Sequence, residues 1–389
     1  VLSRRQRQMC IRDRNEVIKV LEEAGMKFGV DINAFTDFEN TVYTLNLPSN
    51  DPETLELVMD VLSDWASNVT MLKGDLDAER GIVLEEWRAR LGPMLRLGDK
   101  KSAIEMAGSR YVMRDPIGDP HTIKNVSKYR VADFYTKWYR PDNMSVVVVG
   151  DVQTEQIKQL ITRKLGDAKA PDSPLETVDY SIPLVEGWRS EVVSEEGYSS
   201  PSVEVSFFST FQPDLSYARY QEDLAHQIAT RLLNVRLQRW EQDEGNVVNA
   251  ANFYSSNVGR ETSQAVFSLQ LVEGQYEQAT QALCQFVAQL TQHGFSEQEV
   301  HGEIRRLKGV IDRNQDKKNY SIDLAGDLMV SAASKQILID KEQAYQLNQY
   351  FLERINVDQV NEAFRRVIEP KSRLVCLLYT SPSPRDGRE

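Results

Sequence analysis

Apolar residues recur at helical spacing in some stretches and alternate with polar ones in others. Val17, Ile18 and Leu21 predict a helix over 15–24, stopped by Gly25. Residues 32–36 and 41–47 alternate on either side of a turn at 37–40, which predicts an antiparallel hairpin. Asp51 and Pro52 supply a cap and a first-turn proline for a helix to about Ser67, with Leu55, Val58, Met59 and Leu62 inward. A second helix covers 77–90. Residues 92–120 read as a loop-rich stretch, followed by a helix near 127–138, a buried strand over 144–149 and a helix over 154–165 closed by Gly166. The proline-rich stretch 170–183 marks a linker.

Beyond the linker the order repeats in outline. A strand at 203–208 precedes a long helix at 218–239. Strands at 249–256 and 264–271 precede a helix at 276–293, and Ser296 with Glu299 forms a capping box for another. Strands and helices mixed in this way predict an α+β protein with two consecutive αβ domains, each an antiparallel sheet packed with helices. The expected divisions are 15–170, a linker at 171–190, and 191–375.

The two ends are set apart by a shared coding signature. Met9-Cys-Ile-Arg-Asp13 can be encoded by a string whose reverse complement, read in another frame, encodes Cys376-Leu-Leu-Tyr-Thr-Ser381. Unrelated protein ends have no reason to be reverse complements, so residues 1–14 and 376–389 are expected to be a translated sequencing adapter and are excluded from fold reasoning. Without them, the chain's net charge of −12 becomes −16, because residues 1–14 carry +4 and residues 376–389 carry 0. That acidity argues against a nucleic-acid partner. Cys284 is then the one remaining cysteine, which excludes an internal disulfide or a cysteine metal site. No apolar run approaches membrane-spanning length.

The helix at 77–90 carries the chemistry. Glu79 and Glu86 are seven residues apart, two turns along nearly one azimuth, with Ile82 and Val83 between them. A carboxylate on a core-facing stripe is costly unless it is paired or bound to a metal. Glu85 lies about 100° round the helix from Glu86 and is expected in solvent. The ER-x5-E pattern of Glu79-Arg-Gly-Ile-Val-Leu-Glu-Glu86 resembles the second half of the metal motif in the inverzincins, the insulinase-like (pitrilysin, M16) zinc metallopeptidases. Gly25-Met-Lys-Phe-Gly29, Asn33-Ala-Phe-Thr36, Thr41-Val-Tyr43, Gly108-Ser-Arg-Tyr111, Pro116-Ile-Gly118, Phe134-Tyr-Thr-Lys-Trp-Tyr-Arg-Pro141 and Met144-Ser-Val-Val-Val-Val-Gly-Asp151 resemble the same family. The likeness spans residues 15–375 and is greatest to the N-terminal half of the long bacterial members.

The resemblance implies metallopeptidase-type domains and a metal-activated water that hydrolyses peptides. It implies Glu86 as a zinc ligand, Glu79 as the acidic residue supporting the catalytic site, and Asn33 and Ala34 on an edge strand that pairs with substrate backbone. It also implies a peptide or unfolded polypeptide as substrate, a C-terminal half of the same chain as partner, and a periplasmic location. The departure from the family is equally clear. His121, His226, His293 and His301 form no HxxEH motif. That motif is expected about a dozen residues before Asn15, so the present chain is expected to bind zinc weakly and to be inactive alone. The alternative is a non-catalytic binding or scaffold subunit of the same fold. His293 and His301 read as surface residues rather than a metal pair, and Trp138-Tyr-Arg-Pro141 as packing.

Overall fold

The computed structural model describes residues 14–380 apart from 212, 214, 215, 243–246, 273 and 335. The adapter calls on 1–13 and 381–389 lie outside the described residues. In chain order the elements are α1 (Arg14–Glu23), β1 (Ile32–Thr36), β2 (Thr41–Leu45), α2 (Pro52–Ser67), α3 (Lys73–Ala89), α4 (Pro93–Glu105), α5 (Pro120–Asn125), α6 (Lys128–Trp138), α7 (Thr154–Leu165), β3 (Gly187–Ser194), β4 (Ser202–Thr210), α8 (Tyr217–Glu241), β5 (Val248–Asn257), β6 (Thr262–Leu271), α9 (Tyr276–His293), α10 (Glu297–Gln315), α11 (Ser321–Ser334), α12 (Lys341–Leu352), α13 (Val357–Ile368) and β7 (Ser372–Tyr379).

These elements divide into two compact units. The first holds the residues up to Ala89, Arg114–Val178 and Asn319–Ala333. The second holds Arg90–Met113, Asp179–Lys318 and the residues from Ser334 onward. The first unit has a small core in which Val17 and Leu21 of α1 meet Met26, Ile32, Val58 and Val61. Its hairpin pairs Ile32 with Leu45 through Thr36 with Thr41. Asp51 caps α2 by accepting from the backbone of Glu53 and Thr54. The Thr54 amide is the main cause that holds the Asp51 carboxyl down at about 2.

The second unit is built on a five-stranded sheet in the order β3-β7-β4-β6-β5. One face of this sheet and helices α8, α9, α10, α12 and α13 enclose the main core, in which Phe267 and Leu269 of β6 and Leu237 of α8 are wholly buried. On the other face α4 lays Leu97 against Val193, Phe208, Leu374, Cys376 and Leu378. Charged pairs frame that contact. Arg96 and Lys100 meet Glu195, and Lys101 meets Glu105 and Glu204.

Most expected elements form, within one or two residues of their predicted ends, and the Ser296–Glu299 capping box is complete. Four expectations need correction. The sheets are not all antiparallel, because β3 runs parallel to β7. Residues 92–120 are not loop throughout: Pro93 opens a helix of 13 residues. Residues 144–149 belong to no strand ladder, and Val146 is exposed rather than buried. The reason is that valine-rich sequence makes a strand only where a partner meets its backbone. The fourth concerns α3, described below. In addition, Cys376–Tyr379 continue β7: all four pair with β3, and residues 376–378 pair also with β4. Burial pushes the Cys376 thiol up to about 11.

Candidate functional site

Helix α3 runs from Lys73 to Ala89 and buries none of its residues, so its two glutamates do not face a core. Glu79 is half-buried, Glu86 is exposed, and Ile82 between them is 60% exposed. The stripe turned toward the rest of the first unit is formed instead by Leu76, Glu79, Arg80, Val83, Leu84 and Trp87, all half-buried. Glu79 and Val83 of the expected stripe lie on it, whereas Ile82 and Glu86 do not, because the helix has no strong apolar bias to fix its azimuth. Glu85 is exposed and pairs with Arg88 one turn on.

Arg80 fixes α3 in place, a role that spacing alone did not reveal. Its Nε donates to Asp77 Oδ1 at 3.1 Å, and its two terminal nitrogens donate to the carbonyls of Ile123 and Val126 at the end of α5. A guanidinium matches this task because its planar fork can serve two carbonyls at once. Its place beside Glu79 in the ER pattern was the available signal.

Asn33 and Ala34 sit on β1, where both are exposed. The ladder shows which backbone groups remain available. The Asn46 amide donates to the Asp31 carbonyl at 2.8 Å, and the Asp37 amide to the Asn40 carbonyl at 3.0 Å. Hydrogen-bonded pairs alternate along an antiparallel ladder, so Asn33 and Phe35 also bond toward β2, while Ile32, Ala34 and Thr36 turn their backbone groups away from it. The Ile32 carbonyl on that side is taken by the Gly29 amide at 2.9 Å. The Ala34 amide is held only by the side chain of its neighbour, at 2.8 Å from Asn33 Oδ1. This edge has no paired strand among the described residues.

The hairpin is anchored from behind by aromatic rings. The Tyr43 and Tyr139 hydroxyls lie 2.8 Å apart, Tyr43 packs on Trp65, and the Tyr135 hydroxyl donates to the Trp65 carbonyl. Burial pushes the Tyr43 phenol well above its usual range. Arg140 holds Asp142 through two nitrogens and donates to the Ser173 carbonyl, so Trp138–Pro141 serves packing as its sequence implied. His293 and His301 are exposed.

The two units share an order of elements. Hairpin β1-β2 is followed by α2 and α3, and hairpin β5-β6 by α9 and α10, with 21 residues between the helix starts in both cases. Aligning those starts sets Glu303 opposite Glu79 and Val310 opposite Glu86. Glu303 is buried and grips Arg306 through Nε and Nη2. The second unit therefore has a buried glutamate at the position of Glu79 and a valine at that of Glu86.

No group of three or more His, Cys, Asp and Glu residues that could hold a metal occurs among the described residues. The described donors thus do not fit a whole zinc site.

A hairpin with an edge that no described strand pairs is followed by a glutamate-bearing helix, and that order of elements recurs in the second unit. Residues 11–91 match the model for insulinase (peptidase family M16), and residues 125–307 match that for the peptidase M16 inactive domain. The chain belongs to this family. It is 48% identical over 371 residues to the probable zinc protease PqqL of Haemophilus influenzae, covering 95% of this chain and 40% of that protein. It is 26% identical to the probable zinc protease PqqL of Escherichia coli, covering 91% of this chain and 38% of that one. The crystal structure of the first half of the periplasmic protease PqqL from Escherichia coli superposes with a TM-score of 0.86 at 24% identity, over 94% of this chain and 78% of that one. The chain therefore spans about two-fifths of the length of these curated relatives.

Proposed function

We propose that this chain is the peptide-holding part of a zinc-dependent peptidase and contributes one metal ligand, Glu86. Glu79 supports that ligand from one face of α3, and Arg80 sets the helix. The histidine ligands and the general base are not supplied by His121, His226, His293 or His301, so the chain alone neither binds zinc tightly nor cleaves peptides. Those groups belong to an HxxEH motif about a dozen residues before Asn15, and a C-terminal half of the same protein adds the far wall of the chamber and further substrate contacts. The likeness to a structure described as a periplasmic protease supports a periplasmic location, and no described helix is long and apolar enough to cross a membrane.

The observation that carries the proposal is the free edge of β1. An extended peptide can add there as a further strand, gaining hydrogen bonds from backbone alone, which makes recognition tolerant of sequence. The Ala34 amide becomes its donor once Asn33 Oδ1 releases it. Unstructured peptides are the substrate class that meets this requirement.

Ala34→Pro tests the proposal, because it removes that one outward amide while leaving the β2-facing bonds in place. Binding of an unstructured peptide should weaken by about tenfold or more, as expected for the loss of a central hydrogen bond, with the thermal transition nearly unchanged. Unaltered peptide affinity would remove β1 from the site and favour the scaffold alternative.

A further inference from the structure

The second unit carries a hairpin in the position of β1-β2, and its outer strand β5 ends the sheet. Its opening residues, Val248-Asn-Ala250, echo Ile32-Asn-Ala34 of β1. If both edges were open, the molecule would hold two strand-addition sites of the same kind. They differ in one respect: the edge of β5 is occupied by side chains of its own unit.

Asn234, in the middle of α8, accepts from the Phe253 amide at 2.8 Å and donates to the Phe253 carbonyl at 2.9 Å. It thus occupies both backbone groups of one residue, as an added strand would. Its second amide hydrogen goes to the Thr230 carbonyl at 3.0 Å, so the side chain is fully used. About two turns further along α8, Glu241 Oε2 accepts from the Ala251 amide at 2.9 Å. Ala251 and Phe253 share one parity, as consecutive outward-facing residues must. The register irregularity between Val248 and Ala250 accounts for that parity. A bulge moves the outward groups by one position relative to β1. Beyond Phe253, the Ser255 hydroxyl lies 3.2 Å from His226 Nε2, again on α8. An exposed strand edge invites pairing with any extended chain, and natural sheets commonly block theirs.

We infer that Asn234 and Glu241 are specificity-determining plugs, which close the β5 edge to extended peptide and leave β1 as the member of the duplicated pair that takes substrate backbone. This rests on the proposed role of β1 as a peptide edge. The plugs act on backbone groups, so they exclude peptides of every sequence. Asn234 is the stronger plug, because it occupies a donor and an acceptor together.

The test counts bound peptide on the 389-residue chain. The probe is a short fluorescein-labelled peptide of Thr, Ser and Val, with its backbone N-methylated form as the control that cannot pair. The double variant Asn234→Ala, Glu241→Ala should bind one more peptide per chain than the wild type, and the N-methylated probe should not. Ala34→Pro should bind one fewer. If the double variant loses its folded circular-dichroism signal, Glu241→Ala alone retains Asn234 and should bind the additional peptide at least tenfold more weakly than the first. A folded variant with unchanged stoichiometry overturns the inference. If Ala34→Pro leaves the wild-type count unchanged while the double variant still gains one, the β1 role fails and the plugs stand.

Discussion

Glu86, the proposed metal ligand, and Arg80 are opposite cases at the scale of a single side chain. The Glu86 carboxylate is exposed on a helix that buries nothing, so it gains no stability from a core. Arg80 instead closes two carbonyls at the end of α5. Arg80→Ala should cost about 1–3 kcal/mol in urea unfolding through those orphaned acceptors. Arg80→Lys should recover only part, because an ammonium lacks the fork. Glu299 gives a pH-dependent case. Its hydrogen bonds from Arg236 above all hold its carboxyl at about 2, against an ordinary 4.5. A depressed carboxyl contributes stability that is complete above its unfolded value and is lost as pH falls toward its folded value. Glu299→Gln should therefore lower stability by on the order of 1 kcal/mol at neutral pH. The difference from wild type should shrink as pH falls from about 4.5 toward about 2, as read from unfolding curves across that range.

At the scale of elements, hairpins and capped helices were legible because local chemistry specifies them. The Asp37–Asn40 turn, the Asp51 cap and the Ser296 capping box each state their structure within a few residues. Helix α4 was not legible, since its inward side carries Lys101 and Glu105 beside Leu97, and only the ion pairs of Lys101 with Glu105 and Glu204 make such a face interior. Strand β7 went unread for a different reason. Its coding signature argued against Cys376–Tyr379, yet their alternation of buried and half-buried residues is that of a strand, and they lie between β3 and β4. Leu378→Ala should consequently destabilise the second unit by about 2–4 kcal/mol, measured as a lowered denaturant midpoint with unchanged slope.

At the scale of the whole molecule, the α+β class and its repetition could be read from element order, because mixed strand and helix periodicities constrain the layers available. Which strands become neighbours could not. The parallel β3-β7 pair joins segments almost two hundred residues apart, and no local pattern encodes that. The same holds for the candidate site. Asn33, Ala34, Glu79 and Glu86 were found through motif resemblance, whereas the edge chemistry of β1, the grip of Arg80 and the plugged edge of β5 needed the hydrogen bonds themselves. Duplication explains why two similar hairpins coexist with different fates. One unit has Glu86 and a strand edge that no described strand pairs, and the other has Val310 and an edge met by Asn234.

The most direct measurement is the zinc content of the uninterrupted parent protein, purified with and without Glu86→Ala and assayed on an unstructured peptide. The account predicts one zinc per chain with peptidase activity in the parent. In the variant, both should be lost, while stability stays within about 0.5 kcal/mol because the side chain is exposed. Equal zinc and equal activity in the two proteins would contradict it, and Glu86 would then be a surface glutamate on a helix held by Arg80.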